Sequence, residues 1–220
     1  MKRAARWLLG VCVLGGLACA SSPAPEAIVA RGLVPAGQLP GDLRVEHRLS
    51  FHFGKRGGAL EAVLQVYCGE VMVMGLGPMR QPLFWIRQRG DDIKAWSQRP
   101  WPLPPARILL DVHRIFLYPV ADPPLADGVH SREVATVAFE ERWEQGQLVE
   151  RAIPGGAARG IRIRFHRGAS PRAGSVPATL VDERLGYRLE VEPHRYRRGT
   201  CEEDELALRG VERQGSLAPG

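Results

Sequence analysis

Long apolar runs are missing from this chain of 220 residues. The longest, Trp7 to Ala18, covers about 12 residues, short of the roughly 18 to 20 that cross a bilayer as a helix. A membrane-spanning helix is therefore not expected. Metal-ligand spacing is missing as well. The six histidines, at 47, 52, 113, 130, 166 and 194, include no pair at i, i+2 or i, i+4 with a third ligand nearby, so no zinc site is expected. There is no Cys-x-x-Cys and no nucleophile elbow, which leaves a thiol or serine enzyme without local support. Gly54 to Gly58 and Gly155-Gly156 sit in hairpin or loop contexts, and none forms the strand-to-helix turn that cradles phosphate. Dense basic patches are also lacking. The strip Arg162, Arg164, His166 and Arg167 alternates with Ile161, Ile163 and Phe165, which describes a solvated strand face and no nucleic-acid contact. No enzyme activity, cofactor or metal is expected from these absences.

What is present begins with an export signal. Lys2, Arg3 and Arg6 precede the apolar segment, and small residues follow it. The formal charge of +6 falls to about +3 once those three cations leave with the leader. The junction Gly15–Ser22, GGLACASS, can be cut in two ways. Cleavage before Cys19 leaves a thiol to carry lipid, and cleavage after Ala20, a small-x-small site with Ala18, releases a soluble protein. The four cysteines stand at 12, 19, 68 and 201. Cys12 leaves with the leader, so Cys68 and Cys201 remain as a possible disulfide in an oxidising compartment, with a buried thiol at Cys68 the alternative.

The rest reads as one domain. Residues 1–18 are the signal, 19–40 a tether containing the small, proline-bearing run SSPAPEAIVA, 41–200 the folded body and 201–220 a charged tail without apolar period. From Leu43 to Phe53, apolar residues alternate with polar ones at a period of two, and Leu60 to Val66 continue the pattern. Val71 to Leu76 is apolar on both faces. Leu83 to Gln88 and Ile93 to Trp96 flank the turn Arg89-Gly90-Asp91-Asp92. After the proline cluster 100–105 the period changes. Ile108, Leu109, Val112, Ile115 and Phe116 mark one face of a helix that Pro105 opens and Pro119 closes. Asp111 and His113 point about 200° apart on such a helix and read as its polar side. Strands resume at 134–143, 147–153, 161–165, 178–182 and 187–191. About nine strands with one mid-chain helix describe a curved antiparallel sheet.

The stretches VMVMGLGPMRQPLFWIRQRGDDIKAW (71–96), RILLDVHRIFLYPVA (107–121) and LVDERLGYRLEVEP (180–193), with its Gly186-Tyr187 pair, resemble a bacterial lipoprotein family of unassigned function. That family is similar to the lipoprotein carrier LolA and the outer-membrane receptor LolB. The resemblance implies a mainly β (α+β) fold, an open half-barrel with a greasy concave side and one main helix packed on it. Relatives encoded beside genes for aryl polyene or fatty-acid-like synthesis imply an acyl-chain cargo. It further implies acylation at Cys19, although Gly16 stands where the lipobox has leucine. Ala20 after the cysteine is not the inner-membrane retention Asp, which directs the anchor to the outer membrane.

Soft apolar residues are abundant: Met72, Met74, Leu76 and Met79, Phe84 and Trp85, and Ile108, Val112, Ile115 and Phe116. Methionine conforms to irregular partners, so Met72, Met74, Leu76, Phe84, Ile108, Val112, Ile115 and Phe116 are candidate lipid contacts, with simple core filling as the alternative. Two functions are expected in competition. One is lipid binding in the half-barrel, in lipid or lipoprotein transfer or polyene-lipid export; the other is an envelope scaffold with a filled core that recruits a protein partner.

Overall fold

The structure is a computed structural model, and it describes residues 32–35, 38–39, 42–99, 103–155, 160–166 and 176–197. Five strands come first: β1 (Leu43–Phe53), β2 (Arg56–Tyr67), β3 (Glu70–Leu76), β4 (Pro82–Arg89) and β5 (Asp92–Ser97). Helix α1 (Pro105–Val112) follows and runs into a π-helical turn (His113–Leu117). Six more strands complete the chain: β6 (Gly128–Val134), β7 (Val137–Glu144), β8 (Gln147–Ile153), β9 (Ile161–Phe165), β10 (Ala178–Asp182) and β11 (Tyr187–Arg197).

All strands join one 11-stranded sheet in the order β5-β4-β3-β2-β1-β11-β10-β9-β8-β7-β6. Two antiparallel meanders meet where the first strand pairs with the last, β1 with β11. The outermost strands, β5 and β6, do not pair with each other, so the sheet stays an open half-barrel. The segment that links these two edges contains α1, which lies against the concave face.

Alternation explains the inner face. Val45, Leu64, Val73 and Ile86 stand in one cross-strand row and all are buried. On the other meander the corresponding row is Leu180, Ile163, Arg151 and Glu141, so two charged side chains take apolar positions. Pro105 opens α1, where its missing N–H costs nothing. The helix widens in its last turn, where the Tyr118 N–H closes on the His113 carbonyl at 2.8 Å before Pro119 ends it.

Two expectations change. The strand expected at 134–143 is β7, and a further strand that was not expected, β6, precedes it, the two joined by Ala135 and Thr136 at φ 48° and 63°. Neither is a residue that ordinarily marks a left-handed turn, which is why no break is legible there. The ordered body also reaches back into the stretch read as tether, since Leu33 and Val34 are buried in the core. The Tyr118 hydroxyl donates to the Gly32 carbonyl at 2.9 Å and fastens that segment.

Candidate functional site

The concave face is filled unequally. On the β6–β10 side it is closed by a buried cluster centred on Arg151, which is fully buried. Arg151 donates from Nε and Nη2 to Glu141 Oε1 at 3.1 and 2.7 Å, and from Nη1 to the Arg114 carbonyl in the π-turn at 2.6 Å. Glu141 also accepts from Arg132 at 2.9 Å and from the Trp143 indole at 3.4 Å. The guanidinium lies 5.0 to 5.9 Å from the ring centres of Phe139, Tyr118 and Phe165. Burial pulls its pKa down and the charge of Glu141 opposes this. Such a cluster is space-filling and satisfied.

The β1 side is different. Leu49, Phe51 and Phe53 of β1, Leu60 of β2, Val73 of β3 and Phe84 of β4 face Ile108, Val112, Ile115 and Phe116 across an almost wholly apolar groove. Tyr187, Leu189 and Val191 of β11 form its other wall. The enclosed void is about 60 Å³, and the groove measures about 630 Å³ when space open to solvent is counted. The void holds about four to six water-sized spheres, below the roughly 300 to 1,000 Å³ of ordinary ligand pockets. The mouth is greasy: Leu49, Phe51, Phe53, Leu60, Ile108, Val112 and Leu189 are only partly buried.

Two glycines shape the floor. Gly75 stands opposite Phe84 and Gly58 opposite Phe51. A Cβ on Gly75 would run into the Phe84 ring, and one on Gly58 would meet Phe51 Cζ at 2.9 Å. Both rings lie flat on the sheet because these positions carry no side chain.

Polar anchors hold α1 over the groove. Arg107 Nη2 donates to Asp182 Oδ2 at 2.6 Å, and its Nε meets both oxygens of Asp111 at 3.1 and 3.2 Å. Arg114 adds a bond to Asp111 at 3.2 Å. The second oxygen of Asp182 accepts the Arg184 and Leu185 N–H groups and so shapes the β10–β11 turn, where Gly186 takes φ 59°. Burial pushes the Asp111 carboxyl up, against the two arginines. His113 Nδ1 accepts the Val34 N–H at 2.9 Å, so the ring proton sits on Nε2 and is given to Gln88 Oε1 at 2.7 Å. Burial lowers the His113 pKa from 6.5 to about 3.

The expectation that Asp111 and His113 form a solvated polar side is thus wrong. Both are buried, and their polarity is spent inside the protein. Of the candidate lipid contacts, Phe84, Ile108, Val112, Ile115 and Phe116 line the groove. Met72, Met74 and Leu76 are placed elsewhere, opposite Gln65, Val63 and Glu61 on the outer face of the sheet. Trp85 stands beside Met74 on that outer face, and Met79 is exposed in the β3–β4 turn. Sequence reading did not single out β1 and β11 as groove walls. The partly exposed aromatic residues of β1 and the Gly186-Tyr187 pair were the available signal.

Cys68 is disulfide-bonded. Cys19 and Cys201 lie outside the described residues. Among the described residues no group of His, Cys, Asp and Glu side chains is arranged to hold a metal, and no helix is long and apolar enough to cross a membrane.

The family described as Protein of unknown function (DUF3261) matches residues 44–195. A comparison with curated proteins returns no match. Among solved structures, a LolA superfamily protein from Nitrosomonas europaea is 8% identical with a TM-score of 0.44, covering 82% of this chain and 96% of that one. A putative outer membrane lipoprotein-sorting protein domain from Vibrio parahaemolyticus is 7% identical with a TM-score of 0.43, covering 78% and 91%. A DUF1329 family protein from Desulfovibrio piger is 9% identical with a TM-score of 0.36, covering 82% and 93%. The likeness is one of outline.

Proposed function

The chain belongs to that family of proteins of unknown function, and from this premise we propose that it is an outer-membrane lipoprotein, anchored through Cys19 on the periplasmic face, that holds a lipid or acyl chain. The observation that carries the reading is the groove between β1, β11 and α1, almost wholly apolar in its lining and greasy at its open mouth. Each methylene that leaves water there gains about 0.8 kcal/mol. A chain of a few carbons fills the enclosed void, and the remainder lies along the open part, against Ile108 and Val112. The groove needs no catalytic group to do this, and transfer of a lipid or of an acylated protein fits it equally.

A second reading has a specific observation in its favour. The enclosed void is only about 60 Å³ and the Arg151 cluster closes half of the concave side, as suits a scaffold whose core is full. One comparison separates the two. Protein purified from membranes is extracted for lipid, and delipidated protein is offered an uncharged fluorescent alkyl chain. Under the lipid reading Val112→Asp, in the groove, abolishes uptake, while Met74→Asp, on the outer face, leaves it within about twofold, since a charge raises the cost of burial only where the chain lies. No uptake by the parent protein, or equal loss in both variants, favours the scaffold.

A further inference from the structure

Tyr187 opens β11 directly after the left-handed Gly186, and its side chain lines the groove beside Asp111. The residue is 5% exposed, and its ring stacks on Phe53 with centres 4.6 Å apart. Its hydroxyl makes no hydrogen bond with any described residue, in contrast to Tyr118, whose hydroxyl donates to Gly32. Among the described residues the fully buried side-chain atoms without a partner are Trp85 Nε1 and Arg114 Nε, so the Tyr187 hydroxyl is instead open to space that a water can reach. Tyr187 therefore presents an unused donor to an otherwise apolar space.

The electrostatics of the lining restrict what can accept from it. Asp111 is the one charged side chain among the lining residues described, and it is negative. Of the nearby cations, Arg107 is held by Asp111 and Asp182, and Arg114 is held through Nη1 by Asp111, its unpartnered Nε being buried on a residue outside the groove lining. Burial first, and the charge of Asp111 second, push the Tyr187 hydroxyl above its ordinary pKa, with Arg107 acting against both, so it remains a donor at any physiological pH. An anionic head placed here would be desolvated without a free cation to meet it, which is costly. A neutral carbonyl would gain one hydrogen bond and meet no repulsion.

We infer that the groove is specific for acyl chains whose carbonyl is neutral, as an ester or amide, with the Tyr187 hydroxyl donating to that carbonyl. This rests on the lipid reading given above. It makes the bound form a lipid-attached or esterified acyl group and excludes a free fatty acid as the preferred ligand.

The test displaces a pyrene-tagged decane from delipidated protein at pH 8 with three competitors of equal chain length: hexadecane, methyl palmitate and palmitate. The ester should compete roughly five- to tenfold better than the alkane, the worth of one hydrogen bond, and better than palmitate. Tyr187→Phe should erase the advantage of the ester while leaving the alkane unchanged, and its unfolding midpoint should not fall, because the hydroxyl it removes has no partner in the free protein. Palmitate binding as well as the ester, or an ester advantage that survives in the variant, overturns the inference while leaving the groove as a lipid site. A destabilised variant overturns it too, since the hydroxyl would then have an internal partner. Failure of the pyrene probe to bind at all overturns the inference together with the lipid reading.

Discussion

At the scale of single residues, the polar groups under the helix carry more structure than their surroundings suggest. His113 is the clearest case. Its folded pKa, about 3, lies below the ordinary 6.5, so the unfolded chain takes up the proton first. The stability this ring provides is therefore complete above pH 6.5 and is lost as pH falls toward 3. The loss from this group alone is about 1.4 kcal/mol per pH unit inside that window. Urea unfolding at pH 7 and pH 5 checks it: the fall in stability should be smaller by about 2 kcal/mol in His113→Gln, which has no proton to bind. Equal falls in both proteins would mean the ring is not buried neutral. The role of His113 was not legible in the sequence, because a histidine two positions from an aspartate on an amphipathic helix has the same pattern whether it faces water or Gln88. Only the tertiary partners, Val34 and Gln88, distinguish the two.

At the scale of elements, the helix and the strands of the first meander were readable from their periods. Leu43–Phe53 alternates because one face of β1 is buried, and the step from period two to 3.6 after the prolines marks α1. The face of β3 could not be read in the same way. Val71, Met72 and Val73 are all buried, so alternation carries no sign, and Met72 and Met74 fall on the side opposite Val73. The floor glycines were likewise invisible until their cross-strand neighbours were known. Gly75→Ala tests their part. The new methyl lifts the Phe84 ring toward Ile108 and narrows the groove, so uptake of an alkyl probe should fall several-fold. The melting temperature should drop by a few degrees, as overpacking of about 1 to 3 kcal/mol implies. Unchanged uptake would show that the ring does not border the bound chain.

At the scale of the whole molecule, a curved antiparallel sheet with one mid-chain helix was legible from the strand and helix periods, while its openness and the seat of α1 on the concave side came from the family resemblance. The division of the concave face into an apolar half and a half closed by Arg151 and Glu141 was not legible. In the sequence those two charges look like ordinary surface positions of β8 and β7, and their row partners Ile163 and Leu180 reveal the inner placement. Two covalent features belong to this scale. We expect intact-mass analysis of the membrane fraction to show an N-terminus at Cys19 carrying acyl chains, and non-reducing peptide mapping to link Cys68 to Cys201. A mass that begins at Ser21 would remove the anchor without touching the groove.

The central claim is that hydrocarbon lies between β1, β11 and α1, and photolabelling reads it directly. A methyl ester bearing a diazirine along its acyl chain, bound to the delipidated protein and irradiated, should mark peptides containing Leu49–Phe53, Ile108–Phe116 and Tyr187–Val191. Labels confined to the outer face around Met72 and Met74, or to β7 and β8 around Arg151, would contradict the account.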